Sequence, residues 1–223
     1  MCKKEKYNMG AAMDQEIIEG YHATNKSNEE SIIKFGYDLN KCKDEEQWLG
    51  KGVYFWKSLY YAVEWNYIHI HSFSKKAIWN NIIRNKTIFK AEIFIEKSKM
   101  LDLTSPEGTI LFEEFQTIVK SNLNKEDLEE AQKKDDVFWI YMIQKRGFFE
   151  NFDILVASYR KEIKKNEIRS NKNFEKYIQT QICVKRVKNI IHNQVYNDTS
   201  RIKHFFEHIH INRTNSERII RRI

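Results

Sequence analysis

Tyr21-His22-Ala23-Thr24, followed further along by Gly50-Lys51-Gly52-Val53-Tyr54-Phe55-Trp56, decides how this chain is read. The first stretch ends an apolar run that begins at Ile17, and it predicts a short strand carrying His22. The second predicts a Gly-flanked aromatic strand, Val53–Trp56. Gly50 and Gly52 bracket Lys51, which suits a backbone passing close to a ligand. His22 offers hydrogen bonds to sugar hydroxyls, and Tyr54 offers a flat face to a heteroaromatic ring. Together they predict a nucleotide-sugar site.

Between the two stretches, Ser27 and Asn28 supply helix N-cap candidates, and Glu30 completes a capping-box pattern with Ser27. Ile32, Ile33 and Phe35 follow, and Gly36 stops the helix. The polar stretch Asp38–Gln47 reads as a loop. Beyond Trp56, Ser58 caps a helix with Tyr61, Ala62, Trp65 and Ile68 at helical spacing. Ile88–Ile95 alternates, with Phe89, Ala91, Ile93 and Ile95 forming an apolar face of a half-buried strand. Thr104, Ser105 and Pro106 open a helix over Glu107–Asn122. A second helix spans Lys125–Lys145 and stops at Gly147. Asp153–Ser158 reads as a buried strand, and Gln179–Val184 reads as a strand. Lys161–Lys176 is a charged loop or a frayed helix, and a basic helical tail runs over 199–223. Residues 1–14 read as a flexible arm. The order of elements is that of an α+β fold, and with no repeat or linker the 223 residues form one domain.

Composition bounds the classes. An apolar content of 41% with 13% aromatics marks a globular chain. Seven Gly and one Pro, Pro106, argue against a loop-built β-sandwich. The net charge of +7 suits a polyanionic partner, and equally a solvated surface. Cys2, Cys42 and Cys183 are odd in number and lack C-x-x-C spacing, so a reducing, cytoplasmic setting is expected. Lys3, Lys4 and Lys6 precede no apolar run, and no stretch reaches the roughly 18 apolar residues of a membrane span. His204 and His208 share a helix face, but no H-E-x-x-H pattern accompanies them, so no metal site is expected. The basic Arg213, Arg218, Arg221 and Arg222 end the tail, where Phe205 and Phe206 read as packing anchors. No P-loop, G-x-G-x-x-G or G-x-S-x-G pattern is present.

On these residues the chain resembles the ADP-ribosyltransferases of the diphtheria-toxin and poly(ADP-ribose)-polymerase branch. His22-Ala23-Thr24 is similar to the family's H-G-T/S element with Ala in place of Gly. Gly52-Val53-Tyr54-Phe55 matches its G-x-Y-F element. The strand at Gln179–Val184 is similar to its third element, where Gln181 stands in place of Glu. Gln179-x-Gln181 is also similar to the Q-x-E of the clostridial-type toxins. The resemblance implies a split antiparallel sheet with flanking helices and NAD as co-substrate. It implies that Tyr54 stacks on nicotinamide, that His22 bonds a ribose hydroxyl and that the Ala23 backbone holds the carboxamide beside Thr24. Trp65, or its rival Tyr61, would be a second stacking aromatic. The bond to nicotinamide breaks through an oxocarbenium-like state. Gln181 cannot oppose that charge, and losing charge assistance roughly halves a hydrogen bond's strength. Slower turnover is the expected cost, and the resemblance to branch members that lack this Glu implies transfer of a single ADP-ribose unit, with Glu175 or Gln179 as substitutes for the third catalytic group or as contacts to the acceptor.

By the same resemblance, Lys161–Lys176 would recognise the acceptor. Its lysines favour RNA or DNA, with a protein acceptor open. The implied setting is an intracellular toxin or phage-defence effector, with a neutralising antitoxin partner. The rival readings are a silent NAD- or ADP-ribose-binding module of the same fold and a basic nucleic-acid-binding protein.

Overall fold

The computed structural model describes residues 14–42, 47–70, 74–131, 134, 136–160 and 178–220. Its strands are β1 (Gln15–Asn25), β2 (Val53–Trp56), β3 (Lys86–Glu96), β4 (Met100–Asp102), β5 (Ile154–Arg160), β6 (Ile178–Val184) and β7 (Ile190–Val195). Its helices are α1 (Glu29–Phe35), α2 (Leu59–Ile68), α3 (Lys75–Asn85), α4 (Pro106–Ser121), α5 (Lys125–Ala131), α6 (Asp136–Lys145) and α7 (Thr199–Ile220). The fold is α+β. The strands form one mostly antiparallel sheet in the order β4-β5-β6-β2-β1-β3-β7, and only β4 and β5 pair in parallel.

The sheet is held unevenly. β1 and β3 pair along their whole length, from Gln15 opposite Glu96 to Asn25 opposite Lys86. β2 pairs with β6 from Val53 opposite Val184 to Trp56 opposite Gln181. β1 and β2, by contrast, meet at one register pair, Tyr21 and Trp56. The sheet is thus two well-paired groups of strands joined at a narrow seam.

Three apolar clusters follow from the period-two alternation of the strands. On one face of β4-β5-β6, Leu101, Leu155, Ala157 and Cys183 pack with Val119, Trp139, Ile140 and Ile143 from α4 and α6. On the other side of the seam, α2, α3 and α7 meet Tyr21, Ala23 and Ile88 through Ala62, Ile78, Ile82 and Phe206. The third cluster joins both groups through Phe55, Ala91, Ile93, Ile95, Val156 and Ile182. The alternation in β3 buries the expected face, with Phe89, Ala91, Ile93 and Ile95 at most 1% exposed. Gly20 permits the tight crossing at the seam, because a Cβ there would lie 2.8 Å from that of Phe55.

Local signals fixed several helix ends. Ser58 accepts from the Tyr60 N–H, Ser74 from Ala77, and Ser105 from Gly108 with Pro106 in the first turn. Gly36 and Gly147 take positive φ, at 74° and 79°. The capping box at Ser27 is replaced: Lys26–Asn28 form a 3-10 turn whose backbone bonds serve the orphan donors, and α1 opens without a side-chain cap. The Asp38–Gln47 stretch includes a 3-10 turn over Leu39–Lys41. The long helix over Lys125–Lys145 is two helices, α5 and α6. Three elements lie outside the sequence expectations: α3, β4 and β7. α3 buries only Ile78 and Ile82, and β4 has only three residues, so each carries a weak pattern. The arm before Asp14, Lys161–Lys176 with Glu175, and Arg221 and Arg222 lie outside the described residues. No helix among the described residues is long and apolar enough to cross a membrane.

The stripe expected on α2 is a correction. Tyr61 and Ala62 are buried, but Trp65 and Ile68 are 41% and 37% exposed. The sheet and α7 cover α2 along its length, Asn66 and Tyr67 of the last turn included, and leave Trp65 and Ile68 on the one side that faces solvent. Ile93→Ala should cost 2–5 kcal/mol, the range for emptying a packed core position. Ile33→Ala, at a side chain 63% exposed, should change stability by less than about 0.5 kcal/mol. Urea denaturation of the two variants measures the contrast.

Candidate functional site

A cavity of about 700 Å³ opens along the seam. That is within the roughly 300–1,000 Å³ of small-molecule sites. His22, Ala23 and Thr24 from β1, Tyr54 and Trp56 from β2, Gln181 from β6 and Trp65 from α2 line it, joined by Tyr37, Trp48 and His69.

His22 Nδ1 lies 2.8 Å from the Tyr54 carbonyl oxygen. A carbonyl only accepts, so Nδ1 carries the hydrogen and Nε2 of the neutral ring carries the lone pair. The ring stands edge-on to Tyr37 at 5.0 Å and tilted on Phe55 at 5.7 Å. Burial holds its pKa below the ordinary histidine value, and the bond to Tyr54 opposes this only in part. His22 is therefore a neutral acceptor at Nε2 near pH 7.

Tyr54 is held by the turn before it. Its hydroxyl accepts from the Leu49 N–H at 2.8 Å and donates to the Gly50 carbonyl at 2.9 Å. Burial and the neighbouring Cys183 raise its pKa, so the phenol stays protonated. Both glycines are needed by this turn, and Gly52 also lines the cavity. Gly50 takes φ 83°, and a Cβ on Gly52 would run into Cys183 Sγ and approach the Val184 carbonyl at 3.0 Å. Burial pushes the Cys183 thiol up to about 12, which removes it as a nucleophile.

Gln181 sits opposite Trp56 and Cys183 sits opposite Tyr54, so Gln181 and Tyr54 are diagonal neighbours on one sheet face. The Trp48 indole N–H donates to Gln181 Oε1 at 2.6 Å. An indole nitrogen is a donor only, so this bond fixes the amide: its oxygen faces Trp48 and its NH2 faces away. That changes the expected role. Gln181 presents donors first, and its acceptor oxygen is shared with Trp48.

Two expected residues stand elsewhere. Gln179 is buried and donates from Nε2 to Glu64 Oε2 at 3.0 Å, beneath α2, so it does not line the cavity or reach an acceptor. Tyr61 is 5% exposed and packs on Trp56 and Tyr60, inside the cluster under α2, and it also lies off the cavity. Trp65 is at the rim, with its ring 5.9 Å from Trp56 and 4.3 Å from His69. Glu175 lies outside the described residues.

The sequence reading missed Trp48, Tyr37, His69 and Glu64. Trp48 carries no spacing signal; it reaches Gln181 across 133 residues. Glu64 did carry one, as the lone formally charged residue of Leu59–Ile68. Asp38 and Lys41 are the fixed charges among the described lining residues. Among the described residues no group of three His, Cys, Asp or Glu side chains is placed to hold a metal ion.

No family model matches the chain, and no solved structure matches it. The chain is similar to a protein of Methanocaldococcus jannaschii described as "Uncharacterized protein MJ0359", at 26% identity over 179 residues that cover 74% of this chain and 80% of that protein.

Because His22 has a lowered pKa in the fold, it adds stability that is full above the unfolded value, about 6.5, and is lost as pH falls through the folded value. His22→Gln keeps a donor for Tyr54 and removes the titration. The urea midpoint of the native protein should therefore fall more steeply between pH 7 and pH 5 than that of the variant, and equal slopes would contradict a neutral, buried imidazole.

Proposed function

We propose that this chain is an NAD-dependent ADP-ribosyltransferase that delivers a single ADP-ribose unit to a macromolecular acceptor. The observation that carries the reading is the convergence of His22 and Tyr54, from opposite sides of the seam, on one cavity that Gln181 also lines. The two groups of strands meeting at one pair suit the split-sheet architecture that the sequence resemblance implies.

In this reading nicotinamide lies on the Tyr54 ring, whose plane is fixed by the Leu49 and Gly50 bonds. Its carboxamide is held by the Ala23 main chain. Nε2 of His22 accepts a hydrogen bond from a ribose hydroxyl. As the glycosidic bond lengthens, nicotinamide leaves with the bonding pair and positive charge builds on the ribose. The described lining residues place no carboxylate at Gln181, so transition-state stabilisation is limited to dipoles and turnover is slow. Repeated addition to a growing chain is not expected. The net charge of +7 favours RNA or DNA as acceptor over an acidic surface. A cytoplasmic toxin or phage-defence effector restrained by an antitoxin is the biological setting this chemistry suits.

A second reading is favoured by one observation. Gln181 is neutral and pinned by Trp48, which suits a module of the same fold that binds NAD or ADP-ribose without turning it over. Release of labelled nicotinamide from NAD separates the two.

His22→Ala and Tyr54→Ala should each lower nicotinamide release about a hundredfold, the usual cost of one preorganised contact in a transition state. Gln181→Glu should raise it about tenfold. The Trp48 N–H can hold a carboxylate as it holds the amide, and the added charge roughly doubles the strength of the contact. Saturable NAD binding with no release in any of these proteins would favour the binding module.

A further inference from the structure

His69 stands at the C-terminal cap of α2, and its Nδ1 lies 2.8 Å from the Trp65 carbonyl. That carbonyl is one of the helix's orphan acceptors, so Nδ1 carries the hydrogen and Nε2 carries the lone pair. Nε2 makes no hydrogen bond to any described residue. The ring is braced by Trp65, 4.3 Å away between centroids. His69 is exposed and lines the cavity, so it stands where solvent and the seam meet.

We propose that His69 is the base that takes the proton from an incoming hydroxyl acceptor; this rests on the transferase reading above. The other lining groups are unsuited to that task. Tyr37 donates its hydroxyl hydrogen to Asn193 at 2.9 Å and Tyr54 donates its own to Gly50, and burial keeps both phenols protonated. Lys41 offers donors and no acceptor. Asp38 uses Oδ1 to cap the turn that follows it, accepting from the Asn40 N–H at 2.9 Å. His22 is set back against Phe55 and Tyr37, where the ribose is held in this reading. His69 alone among these combines a lone pair that no described residue uses, a fixed tautomer and access from outside.

The step balances. The bond from ribose C1′ to nicotinamide nitrogen breaks, and its electron pair leaves with neutral nicotinamide. The acceptor oxygen supplies the pair for the new bond to C1′. Its proton passes to His69 Nε2 and from there to solvent. An anionic oxygen, such as a carboxylate or a terminal phosphate, arrives without that proton and gains nothing from a base. The rim is therefore built for an alcohol, and with the positive net charge the hydroxyls of RNA are the acceptor class.

The test measures, for labelled NAD and bulk RNA stripped of terminal phosphates, the ratio of label on RNA to nicotinamide released. The native protein should label this RNA, and His69→Gln, which keeps a donor for Trp65, should lower the ratio about a hundredfold. Imidazole added to His69→Gly should raise the ratio again, which a structural role at the helix end would not allow. An unchanged ratio in His69→Gln, or label confined to RNA that retains its terminal phosphates or to protein carboxyl groups, overturns the assignment of His69 while leaving the transferase reading intact. Absence of nicotinamide release from the native protein overturns the transferase reading and this inference with it.

Discussion

β1 and β2 touch at one residue pair, Tyr21 and Trp56, and the bond from His22 Nδ1 to the Tyr54 carbonyl crosses the same seam. A β2 carbonyl that a continuous ladder would pair with backbone is paired instead with a side chain. That substitution is what lets the strands part. Further from the pair the strands diverge, and the cavity occupies the space between them. If β1 and β2 were zipped along their length, the ladder would fill that space and His22 would have no carbonyl to hold. The site is therefore a consequence of how the sheet is joined.

Each group at the seam is oriented by a partner that leaves it one chemical option. The Tyr54 carbonyl forces the His22 lone pair to Nε2, and the Trp65 carbonyl does the same for His69. Trp48 forces the Gln181 amide oxygen towards itself. The Gly50 carbonyl and Leu49 N–H use both functions of the Tyr54 hydroxyl. Burial keeps His22 neutral and the phenols and the Cys183 thiol protonated. The described wall of the cavity is consequently a set of fixed dipoles and aromatic faces, with Asp38 and Lys41 as its formal charges. In the proposed reading such a wall would suit a heteroaromatic ring and a sugar. It gives modest help to a developing positive charge, and that limits the chemistry proposed for it.

Much of the fold was legible because local physics agreed with it. The alternation of Ile88–Ile95 placed one face of β3 in the core, and Ser58, Ser105-Pro106, Gly36 and Gly147 marked helix ends through caps and positive φ. Where two principles competed, the local one lost. Tyr61 and Trp65 share a helix spacing, yet one is buried and the other emerges, because α7 and the sheet cover only part of α2. Gln179 and Gln181 share a strand face, yet Glu64 claims the first and Trp48 the second. Gly50 and Gly52 signalled a close approach, and Gln144 and Cys183 are the side chains that approach them, with Gly52 also on the cavity wall.

The strands that carry His22, Tyr54 and Gln181 could be read from the chain alone, because hydrophobic period, turn residues and caps act within a few residues of one another. That these strands part at a single pair, that Trp48 orients Gln181 and that His69 shares their cavity emerged with the packed fold. Those relations join positions as many as 133 residues apart. They depend on which donors and acceptors the packed core leaves facing each other, and no local pattern encodes that.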